Sequence, residues 1–299
     1  VINTKRCLVA GTIAVALAFA VPSVGAAGSD VTVTVRNETF VDHSRPTPAV
    51  PKLKVKAKTA RTLPTRIWLP DGDGPYPLIV YAHGCGGTAL PLAAMLRAWV
   101  RAGFVVAAPR FPLSSRKGGG VACTTDVRNQ PGDISFVITS LLDLDVVPGG
   151  LGGILDTEHI GVAGNSFGGI TTLGVAFSSC CRDTRIDAAI SYAGTPTLPG
   201  TDFRGIHTPL LLVHGDADPL VKYRGSVTAF ERAQGPRWLL TVIGGGHGSF
   251  LLEKSRVARA VRRASIDFWR GNLAGDANAL AQLEKDAVVP GKTTLRSAG

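Results

Sequence analysis

A short apolar run that breaks at a serine between glycines limits what this chain can become: His159-Ile160-Gly161-Val162-Ala163-Gly164-Asn165-Ser166-Phe167-Gly168-Gly169. Ile160, Val162 and Ala163 read as a buried strand, and Ile170 to Phe177 read as the start of a buried helix. A chain that reverses from strand to helix within four residues strains its central residue. It needs glycine on both sides, because side chains there would collide with the neighbouring helix or strand. The turn pushes the Ser166 hydroxyl out above the sheet, at the positive end of a helix, where it can serve as a nucleophile. Glycine is common in this chain, 36 of 299 residues, so the G-x-S-x-G pattern is weak by itself. Its position at a strand-to-helix junction, and what lies before and after it, give it weight.

Upstream, Leu78-Ile79-Val80-Tyr81-Ala82 is a continuous apolar strand of the kind buried on both faces, and it ends in His83-Gly84-Cys85-Gly86-Gly87. Gly84 to Ala89 also fits the outline of a dinucleotide fingerprint, which expects an acidic residue about twenty positions later for the ribose. No Asp or Glu occurs between Asp73 and Asp126; Arg110 leaves an NADP-linked variant as the residual form of that reading. The competing reading uses the same glycines to bring loop backbone close to a carbonyl oxygen and aim an N–H at it.

Downstream, Leu210 to Val213 is another apolar strand, followed by His214-Gly215-Asp216-Ala217-Asp218-Pro219. The strand Trp238 to Ile243 leads into Gly244-Gly245-Gly246-His247-Gly248. A serine attacks only if a base takes its proton. Of the six histidines, His43 lies in an N-terminal loop, His83 ends the strand before the glycine loop, and His159 opens the elbow strand at its far end. His207 and His214 precede the acids. His247 alone combines a glycine-rich loop after the last strand with the chain order Ser, Asp, His, and is the candidate base. For the acid that orients it, Asp218 is preferred over Asp216: it lies further past the strand end and can turn toward the histidine loop, whereas Asp216 caps the turn. The backbone N–H groups of Cys85 and Phe167 are the candidate oxyanion donors, and His83 holds its loop by hydrogen bonds.

Residues 1–27 carry Lys5 and Arg6, then an apolar run from Leu8 to Val21, then small residues at Ala26 and Ala27. They read as a secretory signal, with an uncleaved anchor as the alternative. The expected domain spans 28–273, and 274–299 is expected to be a C-terminal extension with one turn-rich helix. Strands are expected at Val31–Val35, Leu53–Val55, Arg61–Leu69, Leu78–Ala82, Phe104–Ala108, Ala188–Ala193, Leu210–Val213 and Trp238–Ile243. Helices are expected at Pro91–Arg101, Ile134–Leu144, Val227–Ala233 and Phe250–Trp269, and Arg110 to Gln130 is a long loop. Strands alternating with helices imply a mainly parallel sheet covered on both faces. Net charge is +10, and +8 without Lys5 and Arg6. The basic residues are scattered apart from Lys52, Lys54, Lys56 and Lys58, a pattern that argues against nucleic acid and allows a loose association with an anionic cell envelope.

Together these motifs resemble the α/β-hydrolases, and more narrowly the secreted bacterial esterases grouped with dienelactone hydrolases, platelet-activating-factor acetylhydrolases and chlorophyllase-like enzymes. The resemblance covers roughly Arg61 to Trp269. It implies an eight-stranded-type sheet, a secreted monomer, and a carboxylic-ester hydrolase working through an acyl-enzyme without metal or cofactor. Two departures stand out: dienelactone hydrolases proper use Cys where this chain has Ser166, and polyester hydrolases carry aromatic residues where it has Cys85 and Gly194-Thr195-Pro196. The connection between the strands at Ala188 and Leu210 has no long insertion, which favours soluble or short-chain esters. The rival class is a non-catalytic binding protein of the same fold; lipid, thioester and peptide bonds remain open as other scissile groups.

Four cysteines remain after residue 27, and export implies an oxidising compartment. In the expected topology Cys85 and Cys123 follow neighbouring strands at the carboxyl edge of the sheet, while Cys180 and Cys181 lie at the other edge. Strands of five or six residues hold those edges about 17–20 Å apart, too far for a disulfide's Cα separation of about 4.4–6.8 Å. Cys85 should therefore pair with Cys123. Cys180 and Cys181 are then free thiols or a strained vicinal bridge, the former slightly preferred.

Overall fold

The computed structural model describes residues 32–116, 122–179, 181–252 and 254–299. The expected signal, residues 1–27, and the triple glycine Gly118–Gly120 lie outside them. Nine strands form one sheet: β1 (Val33–Asp42), β2 (Arg61–Pro70), β3 (Tyr76–Ala82), β4 (Val105–Pro109), β5 (Leu155–Asn165), β6 (Ile186–Tyr192), β7 (Leu210–Gly215), β8 (Arg237–Val242) and β9 (Thr293–Ala298), in spatial order β1-β2-β4-β3-β5-β6-β7-β8-β9. From β4 to β8 all neighbours are parallel, while β1 and β2 at one edge and β9 at the other run antiparallel.

The parallel strands are nearly continuous apolar runs because both faces are covered, and the period of two sends alternate side chains into different cores. Ile79 and Tyr81 join Trp99, Phe268 and Trp269 on one face, under helices α1 (Ala93–Arg101) and α7 (Arg256–Leu273). Leu78, Val80 and Ala82 join Ile138, Leu173 and Phe230 on the other. There α3 (Gln130–Val146), α4 (Phe167–Phe177) and α5 (Arg224–Arg232) pack. No helix of the described residues is long and apolar enough to cross a membrane.

Several expected elements change. β1 runs on to Asp42 and pairs with all of β2; as an edge strand with one wetted face it tolerates Asn37 and Glu38 in mid-strand. Leu53–Val55 is not a strand: Pro51–Leu53 forms a single 3-10 turn, Lys54 takes a left-handed φ of 55°, and Val50 and Val55 bridge across it. The expected Arg110–Gln130 loop contains a short helix, α2 (Cys123–Asp126). The expected Phe250–Trp269 helix is two helices, α6 (Ser249–Leu252) and α7, because Ser255 caps α7 by accepting the Ala258 N–H at 3.1 Å. The tail contributes more than one helix: after α8 (Ala277–Asp286), β9 closes the sheet against β8.

Candidate functional site

Ser166 sits at the end of the central strand β5 with φ 56° and ψ −120°, a strained conformation for any side-chain-bearing residue. The turn is so tight that a Cβ on Gly164 would lie 2.4 Å from the Gly168 carbonyl oxygen, and one on Gly168 would lie 2.0 Å from that of Ala82. Glycine is therefore required at both places, for the reason the strand-to-helix reversal suggested. The Tyr192 carbonyl of β6 accepts the Ser166 N–H at 2.9 Å, which pins the turn to the neighbouring strand.

The loops after β7 and β8 converge on that serine, as expected at the carboxyl edge of a parallel sheet. His247 Nε2 lies 2.9 Å from Ser166 Oγ, and His247 Nδ1 lies 2.7 Å from Asp218 Oδ2. The carboxylate can only accept, so Nδ1 carries the ring proton and Nε2 is left to accept from the serine hydroxyl. Burial pulls the Asp218 pKa upward, but the hydrogen bonds from His247 and from the Val221 and Leu220 N–H groups outweigh it and hold the carboxyl below its usual value. The carboxylate therefore stays ionised opposite His247. Asp216 does not join this chain. Its Oδ1 accepts the Gly244 N–H at 2.7 Å, so it fastens the turn after β7 to the histidine loop.

Cys85 and Phe167 are the two donors expected from the sequence, and the loop that carries Cys85 lies against the serine turn: a Cβ on Gly84 would lie 3.3 Å from Ser166 Cβ. Phe167 opens α4, so its N–H has no intrahelical acceptor. Around Cys85 the other amides are occupied: Gly84 N–H by Asn165 Oδ1 at 3.1 Å, Gly86 N–H by the Ser114 carbonyl at 2.8 Å, and Gly87 N–H by the Gly84 carbonyl at 3.2 Å. The Cys85 N–H, by contrast, has no such acceptor among the described residues. Cys85 is joined to Cys123 with a Cα separation of 5.6 Å, the expected pairing. Cys123 belongs to α2, whose Asp126 is buried against Arg61 and accepts from Leu113 N–H and Ser114 Oγ–H, so both ends of α2 brace the loop. His83 is buried and holds the same loop: its Nε2 accepts the Phe111 N–H at 3.1 Å, leaving Nδ1–H to donate to the Gly84 carbonyl at 2.7 Å. Burial lowers its pKa, consistent with a neutral ring.

Two supporting residues escaped the reading of the sequence. Asn165 Oδ1 accepts from both Tyr81 Oη–H at 2.8 Å and Gly84 N–H, tying the serine turn to the Cys85 loop. His214 is fully buried. Its Nε2 faces two acceptors, the Val221 carbonyl at 2.9 Å and Asp218 Oδ2 at 3.1 Å, and its Nδ1 lies 2.7 Å from Ser226 Oγ. With Nε2 protonated it donates to the carboxylate that also receives His247. Burial, which outweighs its neighbours' pull, lowers its pKa. A histidine ending a buried strand four residues before the acid was the available signal.

The other sequence candidates lie elsewhere. His159 pairs with Asp156 at the far end of β5, and the four alternating lysines 52–58 are all exposed. Cys181 is disulfide-bonded, which overturns the free-thiol expectation for it; its partner lies outside the described residues. No group of three or more His, Cys, Asp or Glu among the described residues is arranged to hold a metal ion.

No family model matches the chain, and no curated protein matches it. Among solved structures, 1028 chains match, so the likeness speaks to architecture rather than to substrate. One is a ferulic acid esterase from Streptomyces cinnamoneus, similar with a TM-score of 0.65 and 22% identity over 84% of this chain and 93% of that one. Strand order, the sharp turn at Ser166 and this likeness agree: the chain has the α/β-hydrolase fold.

Proposed function

We propose that this protein is an exported serine hydrolase of carboxylic esters that works through an acyl-enzyme. The observation that carries the reading is the continuous hydrogen-bonded chain from Ser166 Oγ through His247 to Asp218, beginning at a residue held in a strained turn. Backbone strain of that kind persists where the surrounding structure enforces it, and here it aims the hydroxyl at the histidine. A binding module would need neither the strain nor the aligned proton path.

In the reaction, Ser166 Oγ bonds to the ester carbonyl carbon while its proton passes to His247 Nε2. The carbonyl π electrons move onto oxygen, and the Cys85 and Phe167 N–H groups receive the oxyanion. The intermediate collapses as the C–O bond to the alcohol breaks and His247 Nε2 returns its proton to that oxygen. Water then repeats the sequence on the acyl-enzyme, giving its proton to His247 and releasing the carboxylic acid. Asp218 keeps Nδ1 protonated and offsets the imidazolium charge, with His214 and two backbone N–H groups fixing the carboxylate.

The connection from Tyr192 to Leu210 carries no helix, so nothing in it forms a lid, which favours soluble or short-chain esters. The disulfide supports an oxidising compartment. The test is a panel of p-nitrophenyl esters of graded chain length plus methyl ferulate, run with wild type and Ser166→Ala. Wild type should turn over at least one ester and take up a fluorophosphonate at Ser166; Ser166→Ala should do neither while keeping its circular dichroism and Tm. Wild type that neither hydrolyses nor labels returns the chain to the binding-protein class.

A further inference from the structure

A buried row of polar side chains runs from the helix that begins at the serine turn to the loop that carries Cys85. Thr171 stands one turn into α4. Its hydroxyl lies 2.9 Å from the Phe167 carbonyl oxygen and donates a short hydrogen bond to Gln130 Oε1. Gln130, the first residue of α3, donates from Nε2 to Ser114 Oγ at 2.7 Å. Ser114 Oγ donates in turn to Asp126 Oδ2 at 3.2 Å, and the Ser114 carbonyl receives the Gly86 N–H at 2.8 Å. Thr171, Gln130, Ser114 and Asp126 are all fully buried.

The end of this row fixes its direction. The Asp126 carboxylate is ion-paired with Arg61 at 2.9 Å, so the single Ser114 hydroxyl hydrogen points to it and the Ser114 oxygen is left to accept from the Gln130 amide. Gln130 Oε1 then accepts from Thr171. Glutamine suits the place because its amide carries an acceptor and donors on one rigid end. A glutamate of equal length would offer only acceptors to a serine whose hydrogen is already used. A buried glutamine in such a row is commonly a brace for stability alone, and that would suffice if the row ended far from the chemistry. Here it ends beside both proposed oxyanion donors: Phe167 lies one turn before Thr171, and Gly86 adjoins Cys85, whose other neighbour, Gly84, is tied to the serine turn by Asn165. Resting on the hydrolase reading, we infer that Gln130 is a positioning residue of the reaction, which joins α4 to the Cys85 loop and so sets the separation at which the Phe167 and Cys85 N–H groups meet the oxyanion. A misplacement of about 1 Å in such a site costs up to about 10²-fold in rate.

The test compares two variants on a p-nitrophenyl ester that the wild type turns over, well below each variant's Tm. Gln130→Met keeps the side-chain length and removes both hydrogen bonds; Thr171→Val keeps the shape and removes the bond from the other end. The second probe is a trifluoromethyl ketone with the same acyl group. Ser166 Oγ bonds to its carbonyl carbon, the serine proton passes to His247 Nε2, and the carbonyl π electrons stay on oxygen as an oxyanion with no group to leave. In both variants kcat/KM and affinity for the ketone should fall together by about tenfold or more, with KM within a few-fold of wild type. The pH midpoint of kcat/KM should stay where wild type has it, because the row ends at the donors and not at His247. Thr171→Ser, which returns the hydroxyl, should recover most of what Thr171→Val loses, and the Thr171 pair carries the test if Gln130→Met fails to fold. A lower Tm with unchanged kcat/KM and ketone affinity overturns the inference by reducing Gln130 to a structural brace. So does a loss of kcat/KM with a shifted pH midpoint or an unaltered ketone affinity, or a Thr171→Ser variant that recovers nothing. Each of these leaves wild-type turnover, and so the hydrolase reading, intact. Wild type that hydrolyses no ester and takes up no fluorophosphonate removes that reading and this inference with it.

Discussion

Removing the Cys85–Cys123 link separates two contributions to the loop that the proposed mechanism uses as an oxyanion donor. The bridge closes a loop of 38 residues in sequence, and the chain-entropy relation assigns a closed loop of that length about 4 kcal/mol of stability. In a chain of this size that corresponds to a fall in Tm of roughly 8–16 °C, at about 2–4 °C per kcal/mol. Activity should respond less. Losing an oxyanion donor outright costs about 10²–10³ in kcat, but the Cys85 N–H is also positioned by its neighbours: Gly84 is held by Asn165, and Gly86 by the Ser114 carbonyl. The Cys85→Ala/Cys123→Ala variant should therefore unfold at markedly lower urea while its kcat, measured well below the new Tm, falls by less than about 10²-fold. Urea unfolding followed by fluorescence gives the first quantity and steady-state hydrolysis of a p-nitrophenyl ester the second. A stability within about 1 kcal/mol of the oxidised wild type would refute the cross-link reasoning. A loss of kcat beyond 10³ would refute the claim that Asn165 and Ser114 hold the loop by themselves.

Asp218→Asn should lower kcat by about 10⁴, because an amide donor facing Nδ1 selects the wrong imidazole tautomer. Asp216→Asn, which alters only the bond to Gly244, should cost about 1 kcal/mol of stability and leave kcat within a few-fold; steady-state kinetics and urea titration on both variants check the pair, and a reversed pattern moves the acid to Asp216. Asp267 is buried between α7 and α8 with Oδ2 unpaired, and burial, reinforced by Asp286, raises its pKa from 3.8 to about 6. The folded state then binds more protons than the unfolded one between those values, so this group lowers stability as pH rises from 3.8 through 6, by about 3 kcal/mol in full. Asp267→Asn should accordingly stabilise the protein at pH 7.5 and give little or no gain at pH 4, as read from urea midpoints; a gain of equal size at both pH values would assign the effect to something other than ionisation.

Features that rest on local sequence were legible, and those that rest on which side chains meet across the sheet were not. The reversal at Ser166 could be read because three glycines and a strand–helix change fall within a few residues, and the collisions a Cβ would suffer at Gly164 and Gly168 give its physical reason. The Cys85–Cys123 pairing followed from the expected topology and strand length together, since two loops at one edge can meet and loops at opposite edges cannot. β9 was missed because its sequence, Thr293-Thr294-Leu295-Arg296-Ser297-Ala298, has little apolar content; an edge strand with one wetted face does not need more. Asn165 and His214 were missed for another reason. Neither residue type at its place announces a partner: Asn165 acquires its role only when β3 lies beside β5, bringing Tyr81 and Gly84 to its Oδ1, and His214 only when the chain after β7 curls back so that Asp218 and Val221 face its Nε2. The proton path whose order along the chain could be read is thus braced by contacts the order could not supply: His214 holds the Asp218 carboxylate, and Asn165 ties the serine turn to the Cys85 loop. These braces are therefore a property of the packed sheet and not of any motif.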